Sequence, residues 1–562
     1  APPAAAPAAG PAADAPAWHR FADPADWYSA YTTAREFGPV GLEVEGTIPA
    51  ELRGGTLYRC GPGRFERGGV RYNHVIDGDG FVYALRLDAR PTGLGRFVRT
   101  SEFNEEEAND AIMFRSTFGT QPGGADAWRN AFDVRLKNLA NTTALAWGRG
   151  PDARLLALFE AGLPHALRLD TLETVGLETF GGRLRPGTAV TLGLGDGLDR
   201  ALGFGLQHTA HPHIDPHRRR LVGWWSQIRA LEGRASVTVQ EWDERWAPSG
   251  AVEFDLPTEL VPHDFCLTPS FYVWCENRMT FRGRAEYFLG LKGPAEGLEV
   301  ERGAPNRLHL VLRHASGDDE LVQGKLLTVE TPPWFCIHHS HAEEELLPSG
   351  ERLVSIFSAG WKEEGLASGT FLSSWAGEAP DFQVIAPTYY WRTVVRVAAD
   401  AGAAALVEHG VARGLEEACI DHPHVDPRQE VRAVDGAAAP PSGRHCFMSF
   451  CNDEGVSGPA LGWLRLDLDT GESARWTAPR RAGQFAEELV VVPKAGSAGS
   501  WLLGILSDAR REQSSLCILD GDRIEAGPVA RVWLPDKMPH GLHGCFVPAG
   551  EAGCGSPSAA AP

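Results

Sequence analysis

The sequence predicts an all-β closed fold, and two observations carry that prediction. From about Leu57 to Val547 the chain is a series of short apolar segments, among them TLYRC, GFVYALRLD, RLLALFE, SFYVWCE, RLHLVLRH and SLCIL. Each is rich in β-branched and aromatic residues and is bounded by Gly, Pro, Asp or Asn, the rhythm of strands and turns. The second observation is that long amphipathic helices are scarce, with Asp126–Val134 the best short stretch. Strands without interleaved helices must close on one another. Divided into units of about 70 residues, this region makes about seven blades, inside the range of β-propellers.

Individual elements follow the same logic. WLRLDLDTGESARW reads as a strand, a polar turn and a return strand. The stretches 102–137, 280–305, 364–392 and 400–445 are too long for hairpin turns, so they are expected as loops gathered over one face. Residues 1–16 and 550–562 are Ala/Pro-rich and lack apolar periodicity; both are expected to be disordered, leaving 17–549 as a single propeller domain.

Composition excludes several classes. A net charge of −20 argues against nucleic acid, which needs clustered Lys and Arg. No apolar run reaches the ~20 residues of a spanning helix. Ten cysteines fall in no CxxC and no regular framework. They suit reduced thiols in a plastid or the cytoplasm better than secretion, with Cys266, Cys275, Cys336 and Cys517 as small core residues.

Four of the 19 histidines share a context near a strand end: His211 in HTAHPHIDP, His263 in LVPHDFCLT, His338 in WFCIHHSHAEEE and His543 in MPHGLHGCFVP. No single helix or loop gathers residues so far apart. A propeller does, because its innermost strands converge on the axis. Four neutral imidazoles suit iron, zinc, copper or nickel and leave two octahedral positions open. Taken singly, each is more often a hydrogen-bonded or exposed strand-end residue than a ligand. His74, in YNHVIDGDG, looks much the same and is read as structural.

The motifs LYRCGPGRFE, YNHVIDGDGFVYAL, FRSTFGTQPGG, FDVRLKNLANTTALAW, TAHPHIDP, PHDF and GLHGCFVP lie in order over nearly the whole chain. In them the sequence resembles the carotenoid cleavage oxygenases, and FGTQPGG and LKNLANT place it nearest the apocarotenoid-oxygenase branch. The resemblance implies a seven-bladed propeller with a helical and loop dome over the active-site face, and Fe(II) on the axis. It implies His211, His263, His338 and His543 as ligands. Behind them it implies Glu160, Asp421 and Glu488, carboxylates that fix the ligands' tautomer and orientation. It also implies an apolar polyene substrate, O2 as co-substrate, aldehyde products and a membrane-facing apolar patch, expected within 111–136.

The sequence departs from the family pattern in three places. The family has Glu where Asp421 stands, one methylene longer. Its usual Asn and aromatic are replaced by His341 and Glu343, so that His338, His339 and His341 all present themselves, with register favouring His338. Glu487 adjoins Glu488, and counting back from Pro493 favours the latter. Large aromatics beside the ligand motifs are altered at Ile76, Phe159, Val261 and Ile337, which are expected to shape the substrate tunnel. The rival readings are a stilbenoid-cleaving dioxygenase, a retinoid isomerase and a metal-poor propeller scaffold. The stilbene cleavers carry a pocket Lys that finds no counterpart near these motifs. For the isomerase no palmitoylation-like Cys cluster is seen.

Overall fold

The computed structural model describes residues 15–188, 190–191, 204–229, 232–258, 260, 262–314, 321–366, 380–435 and 444–550. Among them, seven sheets of four or more strands form, with two small two-stranded pairs. Each of the seven is one propeller blade.

Blade one comprises Thr143–Trp147, Arg154–Leu158, His165–Leu167 and Thr174–Leu177. Blade two is built on Arg220–Arg229, Arg234–Trp242 and Pro248–Leu256, with His213–Asp215 on its inner side. Blade three runs from Phe265–Leu267 to Leu326–Thr331, and blade four from Trp334–Leu346 to Ala404–Val411. Blade five spans Cys419–Val425 to Ser473–Thr477, and blade six Gln484–Pro493 to Pro528–Trp533. The main strands of each blade pair in antiparallel meanders, while Leu321–Gln323 joins blade two and Val431–Asp435 joins blade four as parallel edge strands. In the turn after Gly462–Asp467, Asp467 Oδ1 accepts from Asp469 N and Thr470 N, both at 2.9 Å, and Gly471 takes φ 77°. From blade two to blade seven the innermost strand of each blade packs against that of the next, and that of blade seven against that of blade one.

Blade seven closes the ring with both ends of the chain. Thr56–Arg64, Asp79–Arg86 and Thr92–Phe97 come from the N-terminal side, and Gly544–Val547 adds the innermost strand, pairing with Thr56–Arg59. Gly544 is required there: a Cβ would lie 2.2 Å or less from Tyr58 O, at 2.1 Å. Glu43–Gly46 pairs with Pro528–Trp533 on the outer edge of blade six, so two blades are sealed by strands distant in sequence.

The long insertions are partly structured. Residues 101–137 hold the helix Ser101–Asn109, capped by Thr100 Oγ1 accepting from Phe103 N at 3.0 Å. The expected helix at 126–134 is instead a 3-10 turn, Gly124–Asn130, held at Gly123 by no side-chain cap. Residues 279–300 contain a short hairpin, Met279–Phe281 with Leu298–Val300, and the helix Arg284–Phe288. The two insertions meet: Phe132 N donates to Phe288 O at 2.6 Å and Tyr287 OH to Val134 O at 3.0 Å. The expectation of a loop across 400–445 is corrected, because Ala404–Val411 is an outer strand of blade four and Cys419–Val425 the inner strand of blade five. Both carry charged or His residues that hide the strand pattern. The expected disordered ends fall almost wholly on 1–14 and 551–562, outside the described residues. All nine described cysteines are buried free thiols.

A buried charge network ties the 101–139 insertion to blade seven. Lys137 Nζ meets Asp79 Oδ1 at 2.5 Å and Glu106 Oε2 at 2.6 Å, while Arg67 reaches the same two acids at 3.2 and 3.1 Å. Tyr72 OH donates to Asp79 at 2.9 Å. All of these side chains are buried. Removing one partner strands the others in a low-dielectric interior. Lys137→Met is therefore expected to cost about 3–5 kcal/mol, read as a lower denaturant midpoint at unchanged m-value.

Candidate metal centre

The four singled-out histidines come from four blades and meet on the axis. His211 stands two residues before His213–Asp215, His263 two residues before Phe265–Leu267, His338 inside Trp334–Leu346, and His543 just before Gly544–Val547. Ring centroids are 4.4 Å apart for His211 and His263, 4.7 Å for His211 and His543, and 5.2 Å for both His263–His338 and His338–His543. The ring nitrogens of His211, His263 and His338 lie within 4.8 Å of one another, as do those of His338, His422 and His543.

Strand irregularities aim these side chains. The pairing of Trp334–Leu346 slips between Cys336 and His338, and again between His339 and His341. Gln484–Pro493 slips between Ala486 and Leu489, and Cys419–Val425 between Asp421 and His424. A bulge breaks the in–out alternation of a strand and re-aims its residues. Adjacent residues such as Glu487 and Glu488 are consequently both buried.

Donor chemistry fits a metal cation. His211 Nε2 is buried without a hydrogen-bond partner. Burial, and after it the neighbouring imidazoles, hold His211 and His338 well below the usual histidine range, so both are neutral donors. His263 is moved the other way: burial disfavours its charge, but the Glu160 carboxylate outweighs burial.

Two of the three expected carboxylates meet a gathered histidine. Glu160 hydrogen-bonds His263 Nδ1. Glu488 Oε1 accepts from His543 Nδ1 at 2.7 Å and also meets His424 Nε2 at 2.7 Å, while its Oε2 accepts from Arg59 Nη1 at 2.7 Å. Burial opposes the Glu488 charge, yet His543 and His424 hold the acid well below the carboxylate range. Glu487 faces Arg59 at 3.3 Å instead, and burial raises it. The expectation for Asp421 is corrected. Its Oδ1 accepts from the backbone N of His422 at 2.8 Å, and His338 Nδ1 is buried with no partner. The side chain is one methylene too short and is captured by its own neighbour.

Of the three histidines in the third motif, only His338 joins the others. His339 Nδ1 meets Ser358 Oγ at 2.8 Å, and His341 stacks on Phe357 at 4.5 Å and pairs with Glu343. His74 stays apart, accepting from Ile76 N and stacking on Phe118. Among the expected tunnel residues, Phe159 is buried beside Glu160, and Ile76 and Ile337 are half-buried against separate apolar clusters. Val261 lies outside the described residues.

Sequence reading missed five contributors. A cavity of about 200 Å³ runs along the axis beside His211, His338, His422 and His543 and continues to His213 and His424. His213 sits between Glu430 at 2.5 Å and Asp264 at 3.4 Å. Burial alone lowers its pKa, but the two acids carry it up to about 10. Asp264 also accepts from His339 N at 2.7 Å, linking blades three and four. The one sequence signal was the run of His two residues apart in HPHID and in HPHVD.

Because Glu488 orients His543 and balances charge, Glu488→Gln is expected to weaken metal binding about 10–100-fold, against a much smaller change for Glu487→Gln, in chelator competition. Asp421→Glu restores the reach toward His338 Nδ1 and is expected to slow metal loss on dialysis. A faster loss means the site has adapted to the shorter acid.

Comparison with known proteins accords with this geometry. The model of the family described as retinal pigment epithelial membrane protein, RPE65, matches residues 31–548. An apocarotenoid-15,15'-oxygenase of Synechocystis sp. is 30% identical over 94% of this chain and 97% of its own. The chloroplastic carotenoid cleavage dioxygenase 7 of Oryza sativa is 26% identical over 89% and 87%. A solved structure of cobalt-substituted Synechocystis ACO superposes with a TM-score of 0.77 at 27% identity, covering 94% of this chain and 100% of that one. On these grounds the chain belongs to the RPE65 family of carotenoid oxygenases.

Proposed function

We propose that this protein is a non-haem iron(II) dioxygenase that cleaves one C=C bond of a carotenoid or apocarotenoid with O2, each carbon of the broken bond leaving as a carbonyl. The observation that carries the reading is the convergence of four imidazoles from four blades in a member of this family. Iron(II), when bound, supplies the activation of O2.

The chain's own residues do the rest. His211, His263, His338 and His543 would hold the ion, each through one ring nitrogen. Glu160 and Glu488 take the outer Nδ1–H of His263 and His543, which fixes the tautomer and the ring planes. Arg59, buried against Glu488 at 2.7 Å, holds that carboxylate in place. A polyene offers few polar handles, so the bond to be cut is selected by the length and shape of an apolar tunnel. Ile76, Phe159, Val261 and Ile337 are the residues proposed to set that shape. A retinal-like apocarotenal is the product class that follows.

Such substrates reside in membranes, and one surface suits delivery from there. Trp128 and Phe132 are 73% and 77% exposed, and Leu291, on the insertion hydrogen-bonded to theirs, is 67% exposed with Phe288 and Leu289 beside it. Exposed aromatic and aliphatic residues clustered in this way fit insertion into a bilayer interface. No helix among the described residues is long and apolar enough to cross a membrane, so contact would be peripheral.

His543→Ala is expected to abolish cleavage while preserving the fold. Full retained activity rejects the ligand assignment. Removal of metal with a chelator is expected to stop turnover, and added Fe(II) to restore it. Chromatography of aldehydes from apocarotenals of graded length, set against resveratrol, separates polyene from stilbenoid cleavage. Trp128→Ser with Phe132→Ser is expected to reduce co-sedimentation with lipid vesicles, with detergent-dispersed substrate still turned over.

A further inference from the structure

His422 is not among the four histidines that the sequence pairs with the metal, yet it stands with them. Its ring centroid is 5.0 Å from that of His338 and 5.2 Å from that of His543, separations within the 4.4–5.3 Å found among the four themselves. One of its ring nitrogens lies within 4.8 Å of a nitrogen on each of those two residues. Its ring lines the same axial cavity.

The backbone is arranged to put it there. His422 is a non-glycine residue at φ 43°, in the left-handed region, inside the strand bulge between Asp421 and His424. Such strain persists only where surrounding structure holds it and is concentrated at functional sites. Asp421 clamps the turn by accepting from the His422 N–H. The imidazole itself makes no hydrogen bond: its contact with Asp421 Oδ2 is 3.7 Å from Nδ1, beyond hydrogen-bond range. Its side chain is 17% exposed and borders the cavity, so a cation held by His338 and His543 would be within its reach.

We infer that His422 is a fifth imidazole of this metal centre, contesting one of the two positions that four histidines leave open. The inference rests on the four-histidine reading above. Its chemistry is that of a nitrogen-rich site with a single freely exchangeable position, in which the protein itself competes with an incoming ligand for the other. It also accounts for the short acid at 421. The carboxylate that a longer side chain would direct at His338 is spent on holding His422 in its left-handed turn.

The test uses the full chain freed of metal and reloaded with Co(II) alone. Wild type, His422→Phe, His422→Gln and His211→Ala are compared by X-ray absorption, which counts imidazoles around the ion, and by chelator competition. Circular dichroism and melting of the metal-free proteins check folding, with His422→Gln retaining a polar side chain if the Phe variant does not fold. Five imidazoles in wild type, four in the His422 variants and at least a ~10-fold weaker affinity support the inference. Four imidazoles in wild type overturn it, whether or not affinity changes, since His422 then acts at most through a bound water. Loss of Co(II) in His211→Ala with unchanged binding in both His422 variants also overturns it while leaving the four-histidine site standing. Unchanged binding in all variants rejects both.

Discussion

Ring closure at His543 is the contact on which the rest of the architecture depends. The backbone there is clamped from both sides: Cys60 N donates to His543 O at 3.0 Å, Leu542 N to Cys60 O at 2.8 Å, and His543 N to Thr142 O at 3.2 Å. Blade seven is thus joined to blade one through the same residue that carries an imidazole to the axis. Structural closure and the site share one residue, because the strand that closes the ring follows directly on His543. The cost of bringing residues 56 and 547 together is a loop-closure entropy that grows only slowly with length. Paired backbone along Thr56–Arg59 and the packing of Gly544 against Tyr58 offset it.

Polar groups are concentrated at the axis, and their charges have to be balanced locally. Glu488 is paired on both oxygens, with His543 and His424 on one and Arg59 on the other. Arg59 also reaches Glu487 and the Leu542 carbonyl. Asp264 answers to His213 and to the His339 amide. These links run from blade to blade, so the acids that orient the imidazoles also brace neighbouring innermost strands. Breaking any one leaves a buried charge uncompensated, a larger penalty than the pair itself is worth.

The insertions extend this logic to the face of the ring. The 101–137 and 279–300 segments are tied to one another by backbone hydrogen bonds and by Arg115, whose guanidinium stacks on Tyr287 at 4.6 Å and donates to Lys292 O at 2.7 Å. The Arg67–Asp79–Lys137–Glu106 network fixes them to blade seven. The exposed aromatics at 128 and 132 therefore sit on a braced surface, while the site itself lies on the rigid axis.

What the sequence carried by itself was the strand rhythm, a length that fits about seven blades, and four candidate histidines near strand ends, because each is written in residue type and order along one chain. Glu160, Glu488 and the choice of those four histidines as ligands came from the resemblance to related sequences. His338 over His339 and His341, and Glu488 over Glu487, were legible only through register with related sequences. The missing pieces share one cause. The inward aim of His422, the turning of Asp421 toward its own neighbour, and the His213 and His424 contacts all arise at bulges or between blades. Alternation along a strand specifies which face a residue takes only while the register is regular. Once the pairing slips, the direction of a side chain is set by the partner strand and by the neighbouring blade, and only the tertiary structure decides it.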